Sequence, residues 1–254
     1  NFGLTAGAEA VARANKTSWE NLARTELFTP AAMNSTSYRF SDYWNSSNKA
    51  LTHVKVDGVW KHGETRNAQA QSAAGGLSST VSDMARWLRL QLGNGTLDGR
   101  QLIRPDLLQV MRVPHMVSNP SKDPAGRSSS YGYGILTSVD GTGHVRWDHS
   151  GAFALGAGTT VSMVPGARLG IVVLSNGQAN GEAESVALSF LDIAETGTVQ
   201  RDWLPLLAEN AFAPLYTNPS VLAGKPVPTS ASPALPLERY TGVYRNSYFG
   251  PATI

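Results

Sequence analysis

Leu169-Gly170-Ile171-Val172-Val173-Leu174-Ser175 is the stretch on which the fold turns. In an extended strand Leu169, Ile171 and Val173 point to one face and Val172 and Leu174 to the other. Both sets are apolar, so this strand is expected to be central and covered by helices on both sides. Upstream, three more short apolar runs, 131–138, 144–150 and 157–164, are separated by Gly, Pro or Asn and predict a β meander. Downstream, Glu182 to Thr196 carries Val186, Phe190, Ile193 and Ala194 on one stripe and predicts the covering helix; Trp203 to Phe212 supplies another. The expected class is α+β, an antiparallel meander under helices on both faces.

Further upstream the pattern is helical. Ala and Leu dominate from Leu4 to Val11, and Thr17-Ser18 caps a second helix with Trp19, Leu22, Ala23 and Leu27 at helical spacing. Between Pro30 and Ala70 lies a polar, irregular region with Trp44 and Trp60, expected to be an excursion packed by its aromatics. Thr80 and Asp83 stand at capping-box spacing before Val81, Met84, Ala85, Leu88 and Leu92, predicting a helix over about 81–93 that Gly93-Asn94-Gly95 ends. Pro105 suits the first turn of another helix, reaching Met111.

Composition excludes several classes. The 254 residues are 41% hydrophobic, enough for a core without staples. No apolar run exceeds four residues, far short of the roughly 18 a spanning helix needs. With no Cys there is no disulfide, thiolate nucleophile or Cys-bound metal. A formal charge of +2 without a basic block predicts no nucleic-acid partner. Five of the 14 prolines fall between Pro219 and Pro236, which reads as a semi-rigid linker. The expected division is therefore a domain over 1–217, a linker over 218–236, and the start of a small β domain over 237–254 with Tyr240, Tyr244 and Tyr248. Asn1, not Met, opens the chain, which reads as a mature product or a fragment.

Few residue patterns suggest chemistry. On a strand His144 and Asp148 share a face but lie roughly 13 Å apart, and His149 points the other way, so one ion cannot take all three. Ser150 is next to His149, yet strand neighbours project to opposite faces, so it is a poor lone nucleophile. Ser46-Ser47-Asn48-Lys49 is the one Ser-x-x-Lys, in turn-rich surroundings that would not desolvate the Lys. Tyr43-Trp44-Asn45 and Tyr216-Thr217-Asn218 match Tyr-x-Asn, as so short a pattern does by accident. In Asp148-His149-Ser150-Gly151-Ala152, a Gly at a strand end admits close approach of a ligand, and free edge N–H groups there can bind a carbonyl oxygen.

Three blocks together resemble the serine β-lactamase-like superfamily, closest to class C β-lactamases, DD-peptidases and related esterases. Asn1-Phe2-Gly3 through Ser18-Trp19-Glu20, Phe28-Thr29-Pro30 and Met33-Asn34-Ser35-Thr36 is similar to the family segment that begins with Tyr-x-Asn. Ala73-Ala74-Gly75-Gly76-Leu77-Ser78-Ser79-Thr80 with Asp83-Met84-Ala85 resembles its Gly-Gly-Leu-x-Ser-Thr-x-x-Asp-Met helix start. His149-Ser150-Gly151 takes the place of its Lys-Thr-Gly strand. The likeness spans about residues 1–200, and the phrase around Gly75 is its most specific part. The Pro-rich linker with Tyr240-Thr-Gly-Val-Tyr244 resembles the small β domain appended to many members.

The resemblance implies a β-lactamase/transpeptidase-like fold, incomplete at the N-terminus, from a serine hydrolase acting by acyl transfer. In the family, Ser-x-x-Lys and the Tyr of Tyr-x-Asn lie upstream of the position matching Asn1. This chain is accordingly expected to lack nucleophile and general base and to be inactive alone and poorly soluble. The family's remaining site residues carry over to Asn1, which would hold Lys and substrate amide, to His149, Ser150 and Gly151 as cleft lining, and to the Ala152 backbone N–H as an oxyanion donor. His149 in place of Lys anchors a carboxylate less well, favouring ester or peptide substrates over β-lactams. No metal or organic cofactor is called for. The expected partners are a small-molecule or peptide substrate and the missing N-terminal part of the domain, and the expected location is secreted or periplasmic. The alternative is a non-catalytic module of the same fold that holds a peptide or partner chain.

Overall fold

The computed structural model describes residues 1–216, 220, 222, 224–226, 228–248 and 250–254. It divides into two compact units, Asn1–Tyr216 and Thr217–Ile254. The first opens with α1 (Phe2–Ala14) and α2 (Trp19–Ala23), which runs on as a wider turn over Arg24–Phe28. Ser18 caps α2 as its sequence predicts, accepting from the Asn21 N–H at 3.2 Å. The excursion is more regular than expected. It holds α3 (Phe40–Asn45) and a hairpin of β1 (His53–Val56) and β2 (Val59–His62), and its aromatics divide: Tyr38 packs on Phe28, whereas Trp44 stacks on Phe40 but stays half exposed, as does Trp60. A short helix α4 (Ser72–Gly75) then leads into α5 (Val81–Leu92).

Thr80 Oγ1 caps α5 by accepting from the Asp83 N–H at 3.2 Å. Asp83 does not complete the capping box. Its buried carboxylate accepts instead from the Ser35 N–H at 2.8 Å and the Thr36 hydroxyl at 2.7 Å, tying the start of α5 to the end of the opening helical block. That seam is closed by an apolar cluster of Phe28, Ala31, Met33, Leu90 and Leu97. A small ribbon of β3 (Thr96–Leu97) and β4 (Arg100–Gln101) follows, then α6 (Pro105–Arg112) with Pro105 in its first turn.

The sheet has six antiparallel strands in chain order: β5 (Met116–Asn119), β6 (Ser129–Tyr131), β7 (Leu136–Val139), β8 (Val145–Phe153), β9 (Ala157–Val164) and β10 (Leu169–Ser175). Two strands, β6 and β7, replace the single run expected over 131–138, because the chain turns at Gly134, whose φ of +80° suits glycine. The strand expected to be central, β10, stands at the edge: among the described residues it pairs along its length with β9 alone. Apolar residues on both faces report what covers a strand above and below, and carry no information about its two hydrogen-bonding edges.

Both faces of this strand are covered. On one, Leu88 of α5 forms a core with Ile135 and Met163, joined by Leu92, Trp147, Val161 and Val172. On the other lies α7 (Glu182–Thr196), packed on β9 and β10 and followed by α8 (Trp203–Leu207), which runs on through Ala208–Phe212. The buried stripe of α7 differs from the expected one. Ala183, Ala187 and Leu191 face inward, while Val186 is 54% and Ile193 53% exposed, with Phe190 beside them. Two alanines let the helix axis approach the sheet closely, which the bulkier stripe does not.

In the second unit β11 (Val243–Asn246) pairs with β12 (Gly250–Thr253), and Tyr244 donates to the Tyr240 carbonyl at 2.8 Å. Thr217, Asn218 and parts of the 218–236 linker lie outside the described residues.

The two faces of α7 separate in a stability measurement. Leu191→Ala is expected to cost about 2–5 kcal/mol in urea unfolding, whereas Val186→Ser changes stability by no more than about 0.5 kcal/mol and reduces aggregation. Equal losses would refute the assignment of faces.

Candidate active site

β8 carries the residues singled out above, and its two edges differ. Toward β9 it is paired throughout, from Trp147 opposite Met163 to Phe153 opposite Ala157. Toward β7 the ladder ends at the Leu136–Asp148 pair. Residues 149–153 therefore have a strand partner on one side only among the described residues, and Ser150, Gly151 and Ala152 are exposed. The free edge offers backbone N–H and C=O groups to a ligand.

Period-two alternation distributes the side chains. His149 shares a face with Trp147 and Gly151. Tyr131, at the end of β6 and paired with Leu136, reaches one step past the end of the ladder, and its hydroxyl lies 2.9 Å from His149 Nε2. Burial pushes the His149 imidazole down, against a hydrogen bond to the Ser150 backbone that raises it, and burial pushes the Tyr131 phenol up. Both shifts favour the neutral forms, and the phenol and the ring nitrogen share one hydrogen bond. Gly151 is tightly placed: a Cβ there would stand 3.0 Å from Thr159 Oγ1, a contact the Thr159 side chain would have to relieve.

On the opposite face the hydroxyls are committed elsewhere. Ser150 donates to Thr160 Oγ1 at 3.1 Å, and Thr160 donates to the His149 carbonyl at 3.3 Å. Asp148 accepts from the Ser162 hydroxyl. Ser150 has no base beside it, in keeping with the strand geometry. The metal reading of His144, Asp148 and His149 fails in the same way, since Asp148 faces Ser162 and His149 faces Tyr131.

Asn1 donates to Gln71 Oε1 at 3.5 Å. Gln71 and the Phe153 ring at the end of β8 both approach Gly75, each 3.7 Å from where its Cβ would stand. The Arg66 guanidinium lies 4.6 Å over that same ring. Asn1 is thus linked to the strand end through Gln71 and α4, not by direct contact. Ser46-x-x-Lys49 makes no hydroxyl–amine pair: Lys49 donates to the carbonyls of Trp44 at 2.9 Å and Ser46 at 3.0 Å. Tyr43 and Tyr216 are likewise spent on the carbonyls of Ala50 and Ala179. A groove of about 450 Å³ lined by Arg39, Phe40, Trp44, Asn67 and Gln69 includes none of the β8 residues.

Sequence reasoning passed over Tyr131, Thr160, Gln71 and Arg66. For Tyr131 a signal existed in Tyr131-Gly132-Tyr133-Gly134, a strand end broken by glycines; the other three are visible only through their partners in space.

Asp148 yields a pH prediction. Burial raises its carboxyl from the ordinary 3.8 to about 6, opposed by the Ser162 hydrogen bond and the charge of Arg146. The folded protein keeps this proton up to about pH 6 while the unfolded chain releases it near 3.8. The group's contribution to stability is therefore full at low pH, falls as pH rises through that window, and is flat above it. Between about pH 4 and pH 7 the wild type should lose on the order of 2–3 kcal/mol relative to Asp148→Asn in urea melts. Parallel pH profiles would refute it.

Comparison with known proteins agrees with this architecture. The family model described as Beta-lactamase matches residues 1–194. No curated protein matches the chain. Among solved structures, an octameric penicillin-binding protein homologue from Pyrococcus abyssi superposes with a TM-score of 0.61 at 20% identity, covering 75% of this chain and 40% of that one. A class C beta-lactamase gives 0.55 at 14% identity, covering 74% and 54%. A penicillin-binding protein from Bacillus halodurans gives 0.51 at 19%, covering 70% and 51%. The chain thus spans about half the length of these proteins. The match of the family model over residues 1–194, on a helix-flanked antiparallel sheet, makes this chain a member of the beta-lactamase family.

Proposed function

We propose that this chain forms one wall of the cleft of a serine hydrolase that transfers the acyl group of an ester, peptide or β-lactam. In this reading the attacking serine, its lysine neighbour and a tyrosine base come from polypeptide outside the 254 residues. The observation that carries it is the free edge of β8 beyond Asp148, with Ser150, Gly151 and Ala152 exposed along it.

The serine oxygen would add to the carbonyl carbon, with its proton passing through the Lys/Tyr pair to the leaving group, and water would then release the acyl group. The oxyanion formed at each addition needs donors fixed in advance, and the Ala152 N–H on the open edge is one candidate. Gly151 would let the substrate lie flat against the strand. Asn1, steadied by Gln71, would accept or donate at the substrate amide. His149, pushed toward its neutral form by burial, offers a substrate carboxylate no fixed positive charge, which favours ester and peptide substrates over classical β-lactams. A location outside the cytoplasm suits a chain with no Cys. Among the described residues no helix is long and apolar enough to cross a membrane.

One observation favours a second reading, a binding module without chemistry: the Ser150 hydroxyl is engaged by Thr160, and the lysine of the one Ser-x-x-Lys, Lys49, bonds backbone carbonyls and not the Ser46 hydroxyl. Intact-mass analysis after mixing with nitrocefin or p-nitrophenyl acetate separates the two. The 254-residue chain should form no acyl adduct, and a longer protein with a Ser-x-x-Lys upstream should acylate that serine. In the longer protein Gly151→Val should lower kcat/KM by about 10²–10³-fold by closing the strand to substrate. Acylation of Ser150, or turnover by the chain alone at the longer protein's rate, would refute the proposal; peptide binding by the longer protein with no adduct would establish the module.

A further inference from the structure

Away from β8's free edge, the turn between β7 and β8 and the end of α7 each leave one buried carboxylate oxygen without a donor. Asp140 Oδ1 accepts from the Thr142 N–H at 2.9 Å, the Thr142 hydroxyl at 2.7 Å and the His144 N–H at 2.9 Å. These bonds fix the carboxylate and leave its Oδ2 buried with no hydrogen-bond partner. Glu195 stands in the last turn of α7, which holds no basic residue, and its Oε1 is also buried and unpartnered. The two side chains are only 8% and 9% exposed. A carboxylate at the negative end of a helix, removed from water and given no donor, is unfavourable unless a cation neutralises it.

The surroundings have the donors of a metal site. His144 Nδ1 lies 3.4 Å from Glu195 Oε1 and 4.0 Å from Asp140 Oδ2, and the three ligand atoms all fall within 4.8 Å of one another. Arg146 approaches Asp140 Oδ2 only to 3.9 Å, beyond hydrogen-bond reach, and its own Nε is unpartnered. The Thr142 hydroxyl gives its proton to Asp140 and stands 2.9 Å from His144 Nδ1, so in the empty site it can accept from Nδ1–H, a proton that a metal ion would displace on binding.

We propose that Asp140, His144 and Glu195 form a divalent-cation site that takes Zn²⁺ through one imidazole nitrogen and two carboxylate oxygens, with the remaining position open to water. Two ligands about 2.1 Å from a tetrahedral ion stand roughly 3.4 Å apart, which the His144–Glu195 separation already meets; Asp140 needs only a small closure. An imidazole among the donors selects zinc over magnesium or calcium. His144 is half exposed, which gives the ion a path in. Loaded, the site would clamp the β7–β8 turn to the end of α7 and so steady the start of β8.

The test is a calorimetric Zn²⁺ titration of the chelator-treated chain, with Co²⁺ absorption and Tm as second readouts. One equivalent should bind, Co²⁺ should give the intense visible bands of tetrahedral coordination, and zinc should raise Tm. Glu195→Gln and His144→Ala should each bind at least about tenfold more weakly, and His62→Ala, in the exposed His53–His62 pair of the β1–β2 hairpin, should bind as the wild type does. Glu195→Gln keeps the side chain's shape and removes a buried charge, so without zinc it should be no less stable than the wild type. Equal affinity in wild type, Glu195→Gln and His144→Ala, or no heat and no change in Tm at any soluble zinc concentration, would overturn the proposal and leave Arg146 as the neutralising cation.

Discussion

The geometry of this molecule hangs on where β7 stops. Because its ladder with β8 ends at the Leu136–Asp148 pair, β8 is a shared interior strand for its first half and an open edge for its second. A sheet interior must pair its backbone groups; an edge has groups to spare. One strand thereby supplies both a rigid anchor, clamped between β7 and β9, and a length of free backbone held at a fixed position by that anchor. Residues that bind or react are best placed on such elements, since the supporting hydrogen bonds lie outside the site itself.

Strand alternation then sorts the chemistry. His149 and Gly151 face one way, where burial pushes the imidazole toward its neutral form and the Tyr131 hydroxyl hydrogen-bonds its ring. Asp148 and Ser150 face the other, where Ser162 and Thr160 consume their hydrogen-bonding capacity. Neighbouring titratable groups with opposite surroundings have their proton affinities moved in opposite directions, both toward the uncharged form, because the sheet is covered on both faces and desolvation dominates on each. α5 covers β10 on one face and α7 covers β9 and β10 on the other, with Ala183 and Ala187 on the inner face of α7 letting it lie close.

Much of the architecture was legible in the chain. The capping serine before Trp19, Thr80 before Val81, Pro105 opening α6 and the glycines after Leu92 all mark helix ends by local backbone chemistry, and the structure ends those helices there. The strands of β8, β9 and β10 follow from apolar alternation between turn residues. The misreadings share one cause. The stripe chosen for α7 was the most apolar one, but the helix buries its smallest; β10 was placed centrally because both its faces are apolar; and Asp83 has capping-box spacing yet turns to Ser35 and Thr36. In each case a contact distant in sequence outweighed a local preference.

The sequence by itself determined the main helices and the strands β8, β9 and β10, where most of these end, and that the sheet is covered on both faces, because these depend on periodicity and on residues within a few positions of one another. Only the tertiary structure decided which strand edges are free, which face of α7 packs, and which side chains meet: Tyr131 with His149, Asn1 with Gln71, Asp140 with His144 and Glu195. Such pairings depend on strand register and on the distance of approach between layers, and both are set by the packing of the whole core, with no signature within any single segment.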